Sequence, residues 1–108
     1  MSKKTFNKVD LKTSTKTEGL SLNNKGPVVI QPILTNLMGS PKYTIEVSID
    51  DDNEGQYVEY DASTTDVDIT SAVQINNTVF VWSYLRISVS CSDGDSGNVI
   101  FMLAQPDN

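Results

Sequence analysis

The sequence predicts an all-β protein, an antiparallel β-sandwich of about seven or eight strands with a jelly-roll-like arrangement. Apolar residues alternate with polar ones at period two along several segments, as in Tyr43, Ile45, Val47 and Ile49 against Thr44, Glu46 and Ser48. Turn signals rich in Gly, Pro, Asn, Asp and Ser recur every 8–12 residues or so, the spacing of a sandwich. No apolar stripe at helical spacing runs for a useful length.

The elements follow in chain order. Gly26-Pro27 punctuates the start of the sheet-forming part, and Val28, Ile30, Pro32 and Leu34 then lie on one side. Pro32 marks this as an edge or bulged strand. Gly39-Ser40-Pro41 is a turn into the strand of Tyr43 to Ile49. Asp50 to Gly55 is a long acidic turn, Gln56 to Tyr60 a short strand, and Ala62 to Thr65 another turn before Val67 and Ile69. Asn76-Asn77 supplies the positive φ of a tight hairpin between Val73-Gln74-Ile75 and Val79 to Trp82. Leu85, Ile87, Val89 and Cys91 face one way on the next strand, and Arg86, Ser88 and Ser90 the other. After the turn Ser92 to Gly97, the residues Val99, Phe101 and Leu103 share a face. Ile100, Met102 and Ala104 are apolar too, so both faces of this last strand avoid water. A strand of a sandwich ordinarily shows one polar face. Either a segment of the same chain or another subunit is expected to cover the second face.

With 108 residues the chain supports one domain. Residues 1–25 hold six lysines against two acids, a balance of +4, whereas residues 26–108 hold one lysine and one arginine against twelve acids, a balance of −10. Residues 1–25 also carry seven Ser or Thr and only scattered large apolar residues. They read as an extended basic N-terminal arm with no core of its own, able to reach about 80 Å, ahead of a sandwich domain over 26–108. Its candidate partner contacts are Lys3, Lys4, Phe6, Lys8, Lys12 and Lys16, joined by Ile100 and Met102 on the last strand. Leu20 and Leu22 are spaced to begin a strand. The acidic body disfavours contact with nucleic acid.

Histidine is absent and Cys91 is the single cysteine. The commonest general base and the commonest zinc ligands are therefore missing, and no intrachain disulfide can form. No cofactor or metal is expected, and the chain reads as non-enzymatic. Asp50, Asp52, Glu54 and Gly55 imitate the start of a calcium loop with Asp61 at the twelfth position, but Glu stands at position five and the flanks are strands. An acidic hairpin tip that discourages edge pairing is the simpler reading. Asp93 and Asp95 read as turn residues. Arg86 pairs with an acid across the sheet or anchors a partner's carboxylate. Trp82 and Tyr84 form a core or edge aromatic pair, or a stacking platform for sugar. Cys91 reads as a small buried hydrophobe. No apolar run follows Lys3 and Lys4, so neither an export signal nor a membrane segment is expected, and a thiol at Cys91 fits a reducing cytoplasm.

The order of several segments resembles small β-sandwich virion proteins of tailed bacteriophages. The strand Tyr43 to Asp50 runs into an acidic turn. Trp82-Ser83-Tyr84-Leu85-Arg86-Ile87 follows, then Gly94-Asp95-Ser96-Gly97 and the apolar run Val99 to Leu103. The resemblance spans roughly residues 39–104, and the acidic run Asp50 to Glu54 departs from the Gly- and Asn-rich turn of that pattern. It implies a capsid decoration or cement protein, or a head–tail component. The implied partners are the major capsid protein or other virion subunits and further copies of the chain, with the virion as location after synthesis in the host cytoplasm. A similar Tyr-Leu-Arg-Ile strand occurs in galactose-binding-like modules, which implies carbohydrate recognition as the alternative.

Overall fold

A computed structural model describes residues 2–22, 26–49, 56–78 and 81–106. Eleven strands lie among them: β1 (Ser2–Thr5), β2 (Val9–Asp10), β3 (Thr15–Lys16), β4 (Leu20–Ser21), β5 (Gly26–Met38), β6 (Lys42–Ser48), β7 (Val58–Glu59), β8 (Val67–Asp68), β9 (Val73–Asn77), β10 (Tyr84–Ser90) and β11 (Ser96–Gln105). They form two antiparallel sheets. Sheet A has the order β1-β11-β5-β9 with β2 also on β11, and sheet B the order β3-β10-β6-β7 with β4 on β10 and β8 on β6. β1 with β2, β3 with β4, and β7 with β8 each occupy one position beside a common neighbour. The result is two four-position sheets between which the chain passes repeatedly, the arrangement of a jelly roll.

Within the expected arm of residues 1–25, the described residues 2–22 are not free. β1 pairs with β11 from Ser2–Gln105 to Thr5–Met102, and Val9 pairs with Val99. The chain then crosses the end of the sandwich, and β3 and β4 pair with β10 through Lys16–Ser88 and Leu20–Leu85. The N-terminal segment therefore supplies an edge position to each sheet. Phe6 and Leu11 are almost wholly buried, and Val9 nearly so. Phe6 is a core residue and is unavailable to any partner. The expectation of an arm failed because three buried side chains, at spacings of three and two, pin a segment whose ladder is built in pieces of two to four residues.

β5 shows how the sheet tolerates its irregular residues. β9 pairs with it over Gly26 to Ile30 and β11 from Val29 onward, so it is flanked on both sides at Val29 and Ile30 and by β11 alone beyond that. Pro32 stands just past the last β9 partner, where a missing N–H costs no second ladder. Near the far end the register slips by one residue, with Asn98 opposite Thr35 but Ser96 opposite Met38. Asn36 takes a positive φ of 54° at this bulge. The extra residue resets the alternation, so that Leu34 and Leu37, three apart, both pack on the core.

Between the sheets, Tyr43, Ile45 and Val47 of β6 meet Leu85, Ile87 and Val89 of β10, opposite Val28 and Ile30 of β5 and Val99, Phe101 and Leu103 of β11. The Tyr43 and Phe101 rings pack tilted, with centroids 5.0 Å apart. Ile49, expected on the buried face, is 69% exposed because β6 ends at Ser48. Asn76 and Asn77 make no hairpin turn. They belong to β9 and pair with Pro27 and Gly26. The Asn77 side chain instead receives the Trp82 N–H at 2.7 Å and donates to the Trp82 carbonyl at 3.0 Å, the paired contacts a neighbouring strand residue would make; Val79 and Phe80 of the expected second strand lie outside the described residues.

Burial pushes the Tyr43 hydroxyl up to about 12, and it donates to the Ser71 carbonyl. The unfolded chain releases this proton near pH 10, so the folded form holds it over a higher range. The contribution of this group should be level below about pH 10 and be lost as the pH rises towards 12. Melting Tyr43→Phe beside the parent across this range checks it, since the variant should lose that part of the alkaline decline.

Candidate interaction surface

A sandwich has two outer faces, and here they differ in chemistry and in cover. The outer face of sheet B is polar and lies under its own chain. Arg86 and Glu46 are register partners on β10 and β6, and the Arg86 Nε donates to Glu46 Oε1 at 2.6 Å. Lys16 Nζ stands 3.6 Å from the same oxygen, and the Arg86 guanidinium lies 4.1 Å from the centre of the Tyr57 ring. Arg86 is thus the cross-sheet structural pair and not an anchor waiting for a partner. Asp61 caps the one-turn 3-10 helix Ala62–Thr64, and the Asp66 N–H reaches Thr44 Oγ1 at 3.0 Å. Tyr57 and the turn after β7 thereby cover part of this face, where Thr44 is buried.

The outer face of sheet A is apolar, and no strap crosses it among the described residues. Its centre consists of register pairs between β11 and β5: Ala104 with Val29, Met102 with Gln31, and Ile100 with Ile33. Val29 is 38% and Ile33 46% exposed, and Ile100, Met102 and Ala104 are half-buried by their neighbours in the sheet. Lys3 and Thr5 rim the face on β1, and Gln74 and Asn76 on β9. β5, β9 and β11 contain no Asp, Glu, Lys or Arg. The last strand is thus apolar on both faces for different reasons. One face is core, and the other is a sheet surface that no described segment covers.

The lysines are distributed and not gathered. Lys3, Lys8 and Lys12 are exposed, Lys4 hydrogen-bonds Ser21 between the two edges, and Lys16 joins the Glu46 cluster. An open groove of about 370 Å³ lies where the N-terminal segment crosses between sheets, lined among others by Lys8, Asp10, Lys16 and Glu18. Its charges are of both signs, and Glu18 Oε1 is occupied by the Asn7 N–H at 3.1 Å.

The remaining sequence candidates take structural places. The Asp95 carboxylate accepts the N–H groups of Ser40 at 3.0 Å and Ser92 at 2.8 Å, tying together two turns. Asp50 to Gly55, the imitation calcium loop, lie outside the described residues. Among the described residues no group of three or more metal-ligating side chains converges. Trp82 packs against the core, whereas Tyr84 stands on the outer side of sheet B with Arg86, so the two do not form one platform. Cys91 is half-buried just past the end of β10, and burial, reinforced by Asp95 and Asp10, pushes its thiol up and away from the reactive thiolate. Among the described residues no helix is long and apolar enough to cross a membrane. Period two in the sequence puts Ile100 and Met102 on this outer face, whereas Val29 and Ile33 beside them were not singled out. Their period-two placement opposite Val28 and Ile30 was the available signal. Comparison of the chain with protein-family models, curated proteins and solved structures finds no match.

Proposed function

We propose that this chain is a non-enzymatic structural protein of a tailed-phage particle, a decoration or cement subunit that stabilises the shell through subunit contacts. The observation that carries the reading is the apolar outer face of sheet A, with Lys3 and Asp10 only at its rim, beside a polar sheet B. A rigid sandwich with one apolar face is suited to being seated in an assembly, and it needs no moving part or reactive group for that work. The resemblance of residues 39–104 to small virion sandwiches supplies the kind of assembly. The exposed Lys3, Lys8 and Lys12 give an edge suited to acidic neighbours. Carbohydrate recognition gains no support from Trp82, which packs on the core.

The double variant Ile100→Gln, Met102→Gln tests the reading. It should melt cooperatively, because both side chains lie outside the core. In pelleting assays with empty shells of the source phage, its binding should weaken by at least about tenfold, the cost of losing roughly 1.4 kcal/mol of contact. Parent binding should also weaken with added salt if the lysine edge contributes. Shell binding equal to the parent's would overturn the assignment of this face.

A further inference from the structure

We propose that the outer face of sheet A is covered by a second copy of this chain, packed face to face about a two-fold axis that runs across the strands. The inference rests on the reading of this face as a subunit contact and names the subunit: the shell binds the pair, and the Ile100 and Met102 variants weaken pelleting by splitting it, since a pair holds the shell at two points and a single copy at one.

Charge is the first reason. The chain carries a net charge of −6, so two copies repel over most of their surfaces. β5, β9 and β11 are free of ionisable side chains, and the outer face they form can meet its own image without like-charge repulsion. A face built for a charged partner would carry complementary charge at its centre. Here the nearest cation on this face is Lys3, at the rim.

Shape is the second reason. A two-fold across the strands, passing over the Met102–Gln31 row, stacks β11 on β11 and β5 on β5 in opposite directions. Ile100 then lies over the partner copy's alanine equivalent to Ala104, and Ile33 over the valine equivalent to Val29, large against small at both ends. Met102 meets its own counterpart. So does Gln31, the polar residue at the centre of the patch. A carboxamide both donates and accepts, so two of them facing one another satisfy each other on burial. A two-fold along the strands would instead set Gln31 on Met102 and leave the amide without a partner, which is costly.

Area sets the strength. β1 with β2, β11 and β5, about 5 Å apart over about 25 Å of strand, give roughly 375 Å² per copy, or about 750 Å² in all, because β9 pairs only with Gly26 to Ile30 and lies to one side of the axis. That is below the size of permanent interfaces, so the dimer should be weak and dissociate on dilution.

The test uses the full chain, Gln31→Glu and Gln31→Lys in analytical ultracentrifugation. Gln31 is exposed, and both variants should melt like the parent. The parent should sediment as a concentration-dependent dimer. Each variant alone sets like charges against each other at the axis and should dimerise at least about tenfold more weakly. Mixing the two variants should restore the dimer, because the opposite charges then face one another. A parent that remains monomeric at ~1 mM, or Gln31 variants that dimerise like the parent, would overturn the inference. Shell pelleting separates this outcome from the functional reading. A monomer that still pellets with shells sinks only the second-copy inference, whereas a dimer that ignores shells sinks only the virion assignment.

Discussion

Removal of residues 1–19 should leave a chain that does not fold. The deletion strips the edge position from sheet A by removing β1 and β2, and takes β3 from sheet B. It also takes Phe6, Val9 and Leu11 out of the core. Burying each such side chain is worth about 1.5–3 kcal/mol, so their joint loss is of the order of the whole 5–15 kcal/mol that holds a domain together. The newly bared edge of β11 would add an aggregation hazard. Circular dichroism and thermal melting check this, and a truncated protein that melts cooperatively within a few degrees of the parent would show that the segment is dispensable. Point variants separate packing from pairing. Phe6→Ala should cost about 3–5 kcal/mol and Leu11→Ala about 2–5 kcal/mol, while Lys3→Ala, on the same segment but exposed, should change stability by less than about 0.5 kcal/mol.

Gly97→Ala should destabilise the protein by about 2–5 kcal/mol, from overpacking and backbone strain together. Gly97 has φ of +105°, outside the region that side-chain-bearing residues adopt readily. A Cβ there would stand 2.6 Å from the Asn36 carbonyl oxygen and 2.8 Å from that of Thr35. These are backbone atoms of the β5 bulge, so nothing can swing aside. Relief requires β5 and β11 to separate where the bulge resets Leu37 towards the core. Gly94 is the control, with a similar φ of +91° but nothing within 4 Å of its virtual Cβ. Gly94→Ala should therefore show the strain alone and the smaller loss. Chemical denaturation of both variants measures the difference, and equal losses would mean that the close approach to Asn36 contributes nothing.

The alternation of Tyr43 to Val47, of Leu85 to Val89 and of Val99 to Leu103 was legible in the sequence, because each strand is half-buried and the pleat has a strict period of two. The same rule exposed the anomaly of Ile100 and Met102, since an apolar outer face breaks the expected alternation. The asparagine pair of β9 misled for a local reason. Asn-Asn suits a hairpin, but the Asn77 side chain satisfies the Trp82 backbone and lets β9 continue along β5.

By itself, then, the sequence determined a sandwich and which side of each long strand is dry, because those properties are written in neighbours two residues apart. Only the tertiary structure decided that residues 2–22 supply edge strands, because their ladder partners lie some 60 to 100 positions away and their short pieces carry no period. It also decided that Arg86 is consumed by Glu46 and Tyr57, and that Val29 and Ile33 join Ile100 and Met102 on one face. That patch exists only across the β5–β11 register, a pairing between segments far apart in the chain, and periodicity within either segment cannot state it.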